Sequence, residues 1–141
     1  MTLYLDTSLL VAALTHEPET ARMQKWLAAQ RAGDLAISEW VATEFSAALS
    51  MKVRSRSIEA LHRAAANAAL MRLIEESFEM LAITTEQFRN AARYSEKSSV
   101  GLRAGDALHL AVAADNGATI VTLDRRLAEA ATEFAVPVQL L

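Results

Sequence analysis

Two aspartates directly follow short runs of strand-forming residues and are the first candidates for chemistry in this chain. Asp6 follows the run Leu3 to Leu5, and Asp124 follows the run Ile120 to Leu123. The carboxyl ends of parallel strands form the binding edge of an open sheet, and ligands sit where the strand order reverses. If both strands are central, the two carboxylates converge at that edge.

Two further acids lie in apolar stretches that are otherwise suited to burial. Glu44 is inside the segment Val41 to Ala48, and Asp106 opens the segment Ala107 to Ala114. A carboxylate in an apolar helix costs several kcal/mol unless it is paired, hydrogen-bonded or bound to a cation. Since no basic partner is obvious for these acids, the pattern indicates a metal site.

The absence of Cys restricts which metal such a site could hold. The sequence has no Cys and three His, so a thiolate site and a disulfide framework are both excluded. Carboxylate oxygens favour Mg²⁺ or Mn²⁺, which retain waters and can activate one of them at neutral pH. The chemistry indicated is phosphodiester hydrolysis. His109, three residues after Asp106, could orient that carboxylate or a water, although a buried core His is the commoner explanation.

Helix capping is the alternative explanation for each aspartate taken singly. Asp6, Asp106 and Asp124 all stand at or near the start of a helical pattern, where an Asp commonly caps the helix. Glu44 lies well inside its pattern, and an exposed helix face is its ordinary alternative. The four acids together, rather than any one of them, favour a metal.

The elements that must position these acids alternate between short strands and longer helices. Helical patterns separate five segments that could form strands. Three are rich in strand formers, namely Leu3–Leu5, Leu35–Ile37 and Thr119–Thr122. Two weaker segments resemble them, namely Met80–Ile83 and Val136–Leu140. This alternation predicts a parallel α/β sheet. Several residues of suitable type stand where helices should begin, namely Thr7 or Ser8, Ser38, and Thr84 or Thr85. Asn116 and Gly117 provide a stop before the segment that begins at Thr119.

One long helical pattern lies between Ile58 and Glu76. Four residues at helical spacing are predicted to form its buried apolar side, namely Leu61, Ala64, Ala68 and Met71. With 141 residues, 52% of them hydrophobic, and no Pro-, Gly- or Ser-rich linker, the chain is expected to form one domain over residues 1–141. We expect this domain to lie in the cytoplasm, since no basic leader or membrane-length apolar run is present.

Charge gives a mixed indication about nucleic acid. The formal net charge is −3, which is opposite to that of many nucleic-acid binders. Clustered carboxylates account for that sign, and a bound cation would neutralise part of it where a phosphate must approach. Arg103, three residues before Asp106, is the favoured phosphate contact, ahead of the cluster Lys52, Arg54 and Arg56, which is more often a solvated face.

Four segments in order connect the chain to a known family. They are Leu5–Ser8, Ser38 with Glu44 six residues later, Leu102–Ala111, and Thr122–Leu127. In these segments the chain resembles the PIN-domain ribonucleases, in particular the VapC-type toxins of bacterial toxin–antitoxin modules. The resemblance extends over nearly the whole chain.

The resemblance implies a three-layer α/β sandwich in which helices flank a five-stranded parallel sheet. It also implies Mg²⁺- or Mn²⁺-dependent hydrolysis of RNA by an acidic quartet, matched here by Asp6, Glu44, Asp106 and Asp124. The neighbouring hydroxyls of the family are matched by Thr7, Ser8 and Thr122. Similar toxins are homodimers inhibited by a partner antitoxin. The family often carries a further acid where this chain has Arg126, so a second metal would be held weakly or only with substrate.

Rival functions are less well supported by these residues. A haloacid dehalogenase-like phosphatase needs a second Asp two residues after the first, where this chain has Ser8. A receiver domain needs an acidic pair at the first strand and a late Lys, and neither is present. A non-catalytic PIN-like module that binds RNA or protein would be indicated by loss of one of the four acids, and none is lost. Within the quartet we expect Asp6 and Asp106 to be the primary ligands, with Glu44 and Asp124 orienting waters or completing a second site.

Overall fold

Five strands and seven helices make up the computed structural model, which describes residues 1–141. The strands are β1 (Leu3–Leu5), β2 (Leu35–Ser38), β3 (Phe78–Leu81), β4 (Thr119–Thr122) and β5 (Val138–Leu140). The helices are α1 (Thr7–Leu14), α2 (Thr20–Ala28), α3 (Glu39–Arg54), α4 (Ala60–Glu76), α5 (Thr85–Lys97), α6 (Ala104–Asp115) and α7 (Arg125–Glu133). None of these helices combines the length and apolar character needed to cross a membrane.

The strands form one sheet in the order β3-β2-β1-β4-β5, and every pair is parallel. This confirms the five-stranded parallel sheet that the resemblance implied. The strand order reverses between β1 and β4, which pair with Leu3 opposite Thr119 and Leu5 opposite Val121. Asp6 and Asp124 therefore follow adjacent central strands, at the edge where an open sheet binds ligands.

Burial explains why the central strands have unbroken apolar runs. All residues of β1 and β2 are buried, as expected where helices cover both faces of a parallel sheet. The edge strand β5 is mostly exposed. One cluster of 34 buried residues forms the core. Asp6 directly follows Leu5, a fully buried member of this cluster, so the core fixes the backbone position of Asp6.

Two strands begin at residues other than those expected. β3 begins at Phe78, two residues before the segment Met80–Ile83, because Phe78 is buried and pairs with Leu35 of β2. β5 begins at Val138 rather than Val136. Pro137 has no N–H to donate to a ladder, so regular pairing starts after it.

The packing face of α4 differs from the predicted one. Leu61 and Met71 are 76% and 55% exposed, and the buried residues are instead Ala66 and Leu70. The helix is rich in alanine, so apolar residues recur at helical spacing on more than one side, and local pattern does not distinguish them. The assignment of Leu61, Ala64, Ala68 and Met71 to the buried side was wrong.

Helix starts follow the sequence signals in part. Thr84 caps α5 in a reciprocal pair with Gln87, as expected. Ser38 occupies the N-cap position of α3 without a side-chain capping bond. Thr7 is already the first residue of α1, so neither it nor Ser8 is the cap, and their hydroxyls are available for the site. Asn116 ends α6 as expected.

Candidate metal-binding site

Asp6 lies at the carboxyl end of β1 and is 5% exposed. Its Oδ2 accepts hydrogen bonds from the hydroxyls of Ser8 at 2.6 Å and Thr122 at 2.8 Å. Although Asp6 occupies the N-cap position of α1, its side chain makes no capping bond there. The capping explanation is therefore wrong for Asp6, whose carboxylate is held by hydroxyls from two segments.

Glu44 projects from the middle of α3 toward Asp6, with 28% of its side chain exposed. Its Oε1 accepts a hydrogen bond from the Thr7 hydroxyl at 2.8 Å and another from His109 Nε2. Its Oε2 lies beside Gly105, 2.9 Å from the position that a Cβ there would occupy. Glu44 is thus directed into the molecule and is not an ordinary exposed-face glutamate.

His109 is fully buried on α6, directly beneath the two carboxylates. Its Nε2 faces Glu44 Oε1 and lies 3.5 Å from Asp6 Oδ1, while its Nδ1 is 2.8 Å from the Tyr4 hydroxyl. His109 makes no hydrogen bond to Asp106, the carboxylate that the sequence suggested it could orient. Its hydrogen bonds go to Glu44 and Tyr4 instead. One ligand-type atom from each of Asp6, Glu44 and His109 lies within 4.8 Å of the others.

Asp106 is the third residue of α6, in its first turn, and no side-chain hydrogen bond caps that helix. Burial, followed by the negative charges of Asp6 and Asp124, raises the pKa of Asp106 to about 6. Glu44 adds to this effect and His109 opposes it. Asp106 is therefore close enough to the other three acids to be affected by their charge.

Asp124 is the N-cap residue of α7 and combines two roles. Its Oδ1 accepts hydrogen bonds from the backbone N–H groups of Arg126 at 2.8 Å and Leu127 at 3.3 Å. Capping, the alternative weighed for every aspartate, therefore applies to Asp124. Its own N–H donates to the Thr122 hydroxyl at 2.9 Å, so the same threonine contacts both Asp6 and the Asp124 backbone.

The charges of Glu44 and His109 stabilise each other. Burial alone would raise the pKa of Glu44, but the hydrogen bond and positive charge of His109 outweigh it, and the net shift is downward. Burial alone would lower the pKa of His109, but Glu44 and Asp6 outweigh it, and the net shift is upward. Each group therefore favours the charged form of the other.

The remaining predicted residues divide into two groups. Thr7, Ser8 and Thr122 all reach the site, where they donate to Glu44 or Asp6. Arg103 is exposed at the N-cap position of α6 and makes no side-chain capping bond. Lys52 belongs to the basic cluster that was less favoured as a phosphate contact, and it forms an ion pair with Glu17 at 2.7 Å.

Sequence reasoning missed two residues that shape the site, Tyr4 and Gly105. The Tyr4 hydroxyl is 2.8 Å from Ser38 Oγ and 2.8 Å from His109 Nδ1. A side chain at Gly105 would meet Glu44 Oε2 at 2.9 Å and Trp40 Nε1 at 3.2 Å. Two signals were available: a tyrosine in a buried strand needs a hydrogen-bond partner, and a glycine in a helical turn costs about 1 kcal/mol relative to alanine.

The donor set fits a hard divalent cation. Asp6 and Glu44 each have one carboxylate oxygen held by protein donors, through Oδ2 and Oε1 respectively. Their other oxygens accept no hydrogen bond from the protein and lie in the same acidic cluster as Asp106. Ligating carboxylates in metal sites are commonly hydrogen-bonded in this way, and Mg²⁺ and Mn²⁺ prefer such oxygen ligands.

The fold and its acidic edge define an α/β protein with a carboxylate site at the switch point of a parallel sheet. Residues 3–133 match the sequence profile of the PIN domain, and the chain belongs to the PIN-domain family. Comparison with curated protein sequences gives no significant match.

Solved structures with the same fold include toxins and toxin–antitoxin complexes. VapC20 from Mycobacterium tuberculosis, a Sarcin-Ricin loop cleaving toxin, has a TM-score of 0.73 and 20% identity over 92% of this chain and 95% of that chain. PAE2754 from Pyrobaculum aerophilum has a TM-score of 0.68 and 26% identity, covering 92% of this chain and 86% of that one. VapBC2 from Rickettsia felis, bound to a DNA fragment from their promoter, has a TM-score of 0.67 and 17% identity, covering 99% of this chain and 98% of that one.

Proposed function

We propose that this chain is a divalent-metal-dependent endoribonuclease that acts as the toxin of a toxin–antitoxin module. The observation that carries the proposal is the convergence of Asp6, Glu44 and Asp106, with Asp124 nearby, at the switch point of the sheet. Membership of the PIN-domain family supports it. So does the similarity in fold to VapC20, a Sarcin-Ricin loop cleaving toxin.

Asp6 and Asp106 are the proposed primary ligands of Mg²⁺ or Mn²⁺. Asp6 is held in place by two hydroxyls. The charged form of Asp106 is destabilised by burial and by the surrounding negative charge, and a cation would relieve both effects. Glu44 and Asp124 orient waters or complete a second position, and one oxygen of Asp124 is already occupied by the helix N-terminus. When bound, the cation supplies charge stabilisation and an activated water for phosphodiester hydrolysis.

The proposed substrate contact is Arg103, an exposed basic residue three positions before Asp106. Arg103 is exposed and precedes the helical turn that carries Asp106, so its guanidinium is placed to bind a phosphate of RNA. Thr7, Ser8 and Thr122 support the ligands rather than the RNA, because their hydroxyls already donate to Glu44 and Asp6.

A cognate antitoxin and a second copy of the chain are the proposed protein partners. Structures of the same fold include VapBC2 of Rickettsia felis and a toxin–antitoxin complex from Klebsiella pneumoniae. The proposed activity places the protein in the cytoplasm with its RNA substrate. Induced expression should arrest growth, and co-expression of a neighbouring small reading frame should relieve the arrest. Soluble expression that leaves both growth and RNA intact would contradict the toxin assignment.

The nuclease proposal is tested by incubating the purified chain with single-stranded RNA and Mg²⁺ or Mn²⁺. Cleavage should appear with either cation and stop when a chelator is in excess. Asp106→Asn is the control for a contaminating nuclease, and mapped cleavage ends identify the RNA. Undiminished cleavage in chelator would overturn the metal mechanism. RNA binding without cleavage would instead favour the non-catalytic module.

A further inference from the structure

Tyr4 connects the buried core to the candidate site through hydrogen bonds on its hydroxyl. The residue is the middle position of β1 and is fully buried. Its hydroxyl lies 2.8 Å from Ser38 Oγ, at the end of β2, and 2.8 Å from His109 Nδ1 on α6. Because a buried hydroxyl between two polar atoms has few alternative partners, this arrangement constrains where the protons lie.

The Glu44 carboxylate determines that the Nε2 nitrogen of His109 carries a proton. The Glu44 carboxylate only accepts, so His109 must present an N–H at Nε2. At Nδ1 the group at hydrogen-bond distance is the Tyr4 hydroxyl, which can donate to a neutral imidazole or accept from an imidazolium. With the opposite tautomer, the Nε2 lone pair would face two carboxylate oxygens, Glu44 Oε1 and Asp6 Oδ1.

We propose that Tyr4 is a positioning residue that, supported by Ser38, holds the His109 ring through Nδ1 so that its Nε2–H stays directed at Glu44 and Asp6, which are thereby kept in place for a cation. Tyr4 touches neither cation nor substrate and acts through His109. Partners of this kind in metal sites set the tautomer and orientation of a histidine. Here the histidine supports the ligands instead of being one, and the inference rests on the proposed metal-binding function of the two acids.

The matched variants are Tyr4→Phe and Tyr94→Phe. Each removes one hydroxyl and keeps the ring, and these are the only two tyrosines of the chain. Tyr94 packs against Phe134, with ring centroids 4.7 Å apart, and its hydroxyl is not among the hydrogen-bond partners of His109. We expect Tyr4→Phe to bind Mn²⁺ about tenfold more weakly by calorimetry, and Tyr94→Phe to stay within about twofold of wild type.

The proton position is read directly from the imidazole nitrogen chemical shifts of His109 in Mg²⁺-loaded protein at mildly alkaline pH. All three proteins should carry the proton on Nε2, because Glu44 and Asp6 still face that nitrogen. Wild type and Tyr94→Phe should give one set of imidazole signals, and Tyr4→Phe should give shifted or doubled signals because the ring is no longer held at Nδ1. A role in packing alone would lower the melting temperature of Tyr4→Phe without altering either the imidazole signals or the metal affinity.

Two results would overturn the proposal. One is a folded Tyr4→Phe protein with wild-type Mn²⁺ affinity and unchanged His109 imidazole signals. The other is a wild-type His109 with its proton on Nδ1, a measurement that needs no substitution and applies even if Tyr4→Phe fails to fold. Wild-type protein that binds no cation at all would count instead against the proposed nuclease function, so the two failures are distinguishable.

Discussion

Helices α6 and α7 each have an aspartate at their N-terminal end, at the acidic edge of the sheet, yet the two aspartates have opposite relations to their helices. Asp124 caps α7 by accepting two backbone N–H groups, an interaction that typically contributes about 1 kcal/mol. Asp106 lies inside the first turn of α6, where no side chain caps the helix. Burial and neighbouring acids raise its pKa to about 6.

The difference separates an aspartate that stabilises the fold from one that opposes it. Capping accounts for Asp124 without any ligand. At neutral pH the ionised Asp106 is unfavourable in the metal-free protein, because burial and like charges both act against its charged form. A carboxylate in such a position is explained by binding a cation, which would compensate both effects. The following predictions test that contrast.

The largest expected effect is the loss of cleavage in Asp106→Asn. The amide keeps the shape of the side chain and removes the charge that would hold the cation, so activity should fall at least about a hundredfold. The melting temperature of the metal-free variant at neutral pH should rise or stay level, because one of several repelling charges is gone. Cleavage assays and melting curves check both expectations. A drop of several degrees would instead show that Asp106 is structural.

Asp6→Asn should lose activity to a similar extent but respond differently in stability. Repulsion among the clustered acids alone would make both metal-free variants as stable as wild type or more stable, but the contacts of Asp6 change that expectation for Asp6→Asn. Its carboxylate accepts two hydroxyl hydrogen bonds and lies 3.5 Å from His109 Nε2. An amide that keeps both acceptor contacts on its oxygen turns its NH₂ toward the imidazole N–H, so the metal-free melting temperature should fall. A rise equal to that of Asp106→Asn would contradict this account.

Asp124→Asn should have a smaller effect on metal binding than either of these substitutions. An asparagine oxygen can still accept the N–H groups of Arg126 and Leu127, and Asn is nearly as good an N-cap as Asp. Calorimetric titration should detect weakened but measurable Mn²⁺ binding. Asp124→Ala is the matched variant that also removes the cap, and its stability should fall by about 1 kcal/mol more. Equal stability of the two would show that the cap is unimportant.

The smallest expected effect is the pH dependence of metal-free stability that arises from Asp106. Its folded pKa of about 6 exceeds the unfolded value of 3.8, so between these values the folded state binds more protons than the unfolded state. The contribution of Asp106 to stability therefore declines as pH rises from about 4 to about 6. The difference in melting temperature between Asp106→Asn and wild type should grow over this window and then level off. A constant difference would show that Asp106 has an ordinary pKa in the folded state.

Several residues show how far sequence reasoning reached. It predicted a parallel α/β fold and the convergence of Asp6 and Asp124, because strand signals and the residues that follow them are local in the chain. It left the capping question open at Asp6, Asp106 and Asp124. In the structure only Asp124 of the three caps a helix, since capping depends on the orientation of one side chain relative to N–H groups two or three residues away.

The alternation of strands and helices, and the positions of the four acids relative to them, were determined by the sequence itself, because both follow from patterns of a few neighbouring residues. Which face of α4 packs, and which partners His109 finds, were decided only by the tertiary structure. His109 meets Glu44 across 65 positions and Tyr4 across 105. Such contacts depend on which surfaces come together when β1, α3 and α6 assemble, and no local pattern encodes that arrangement.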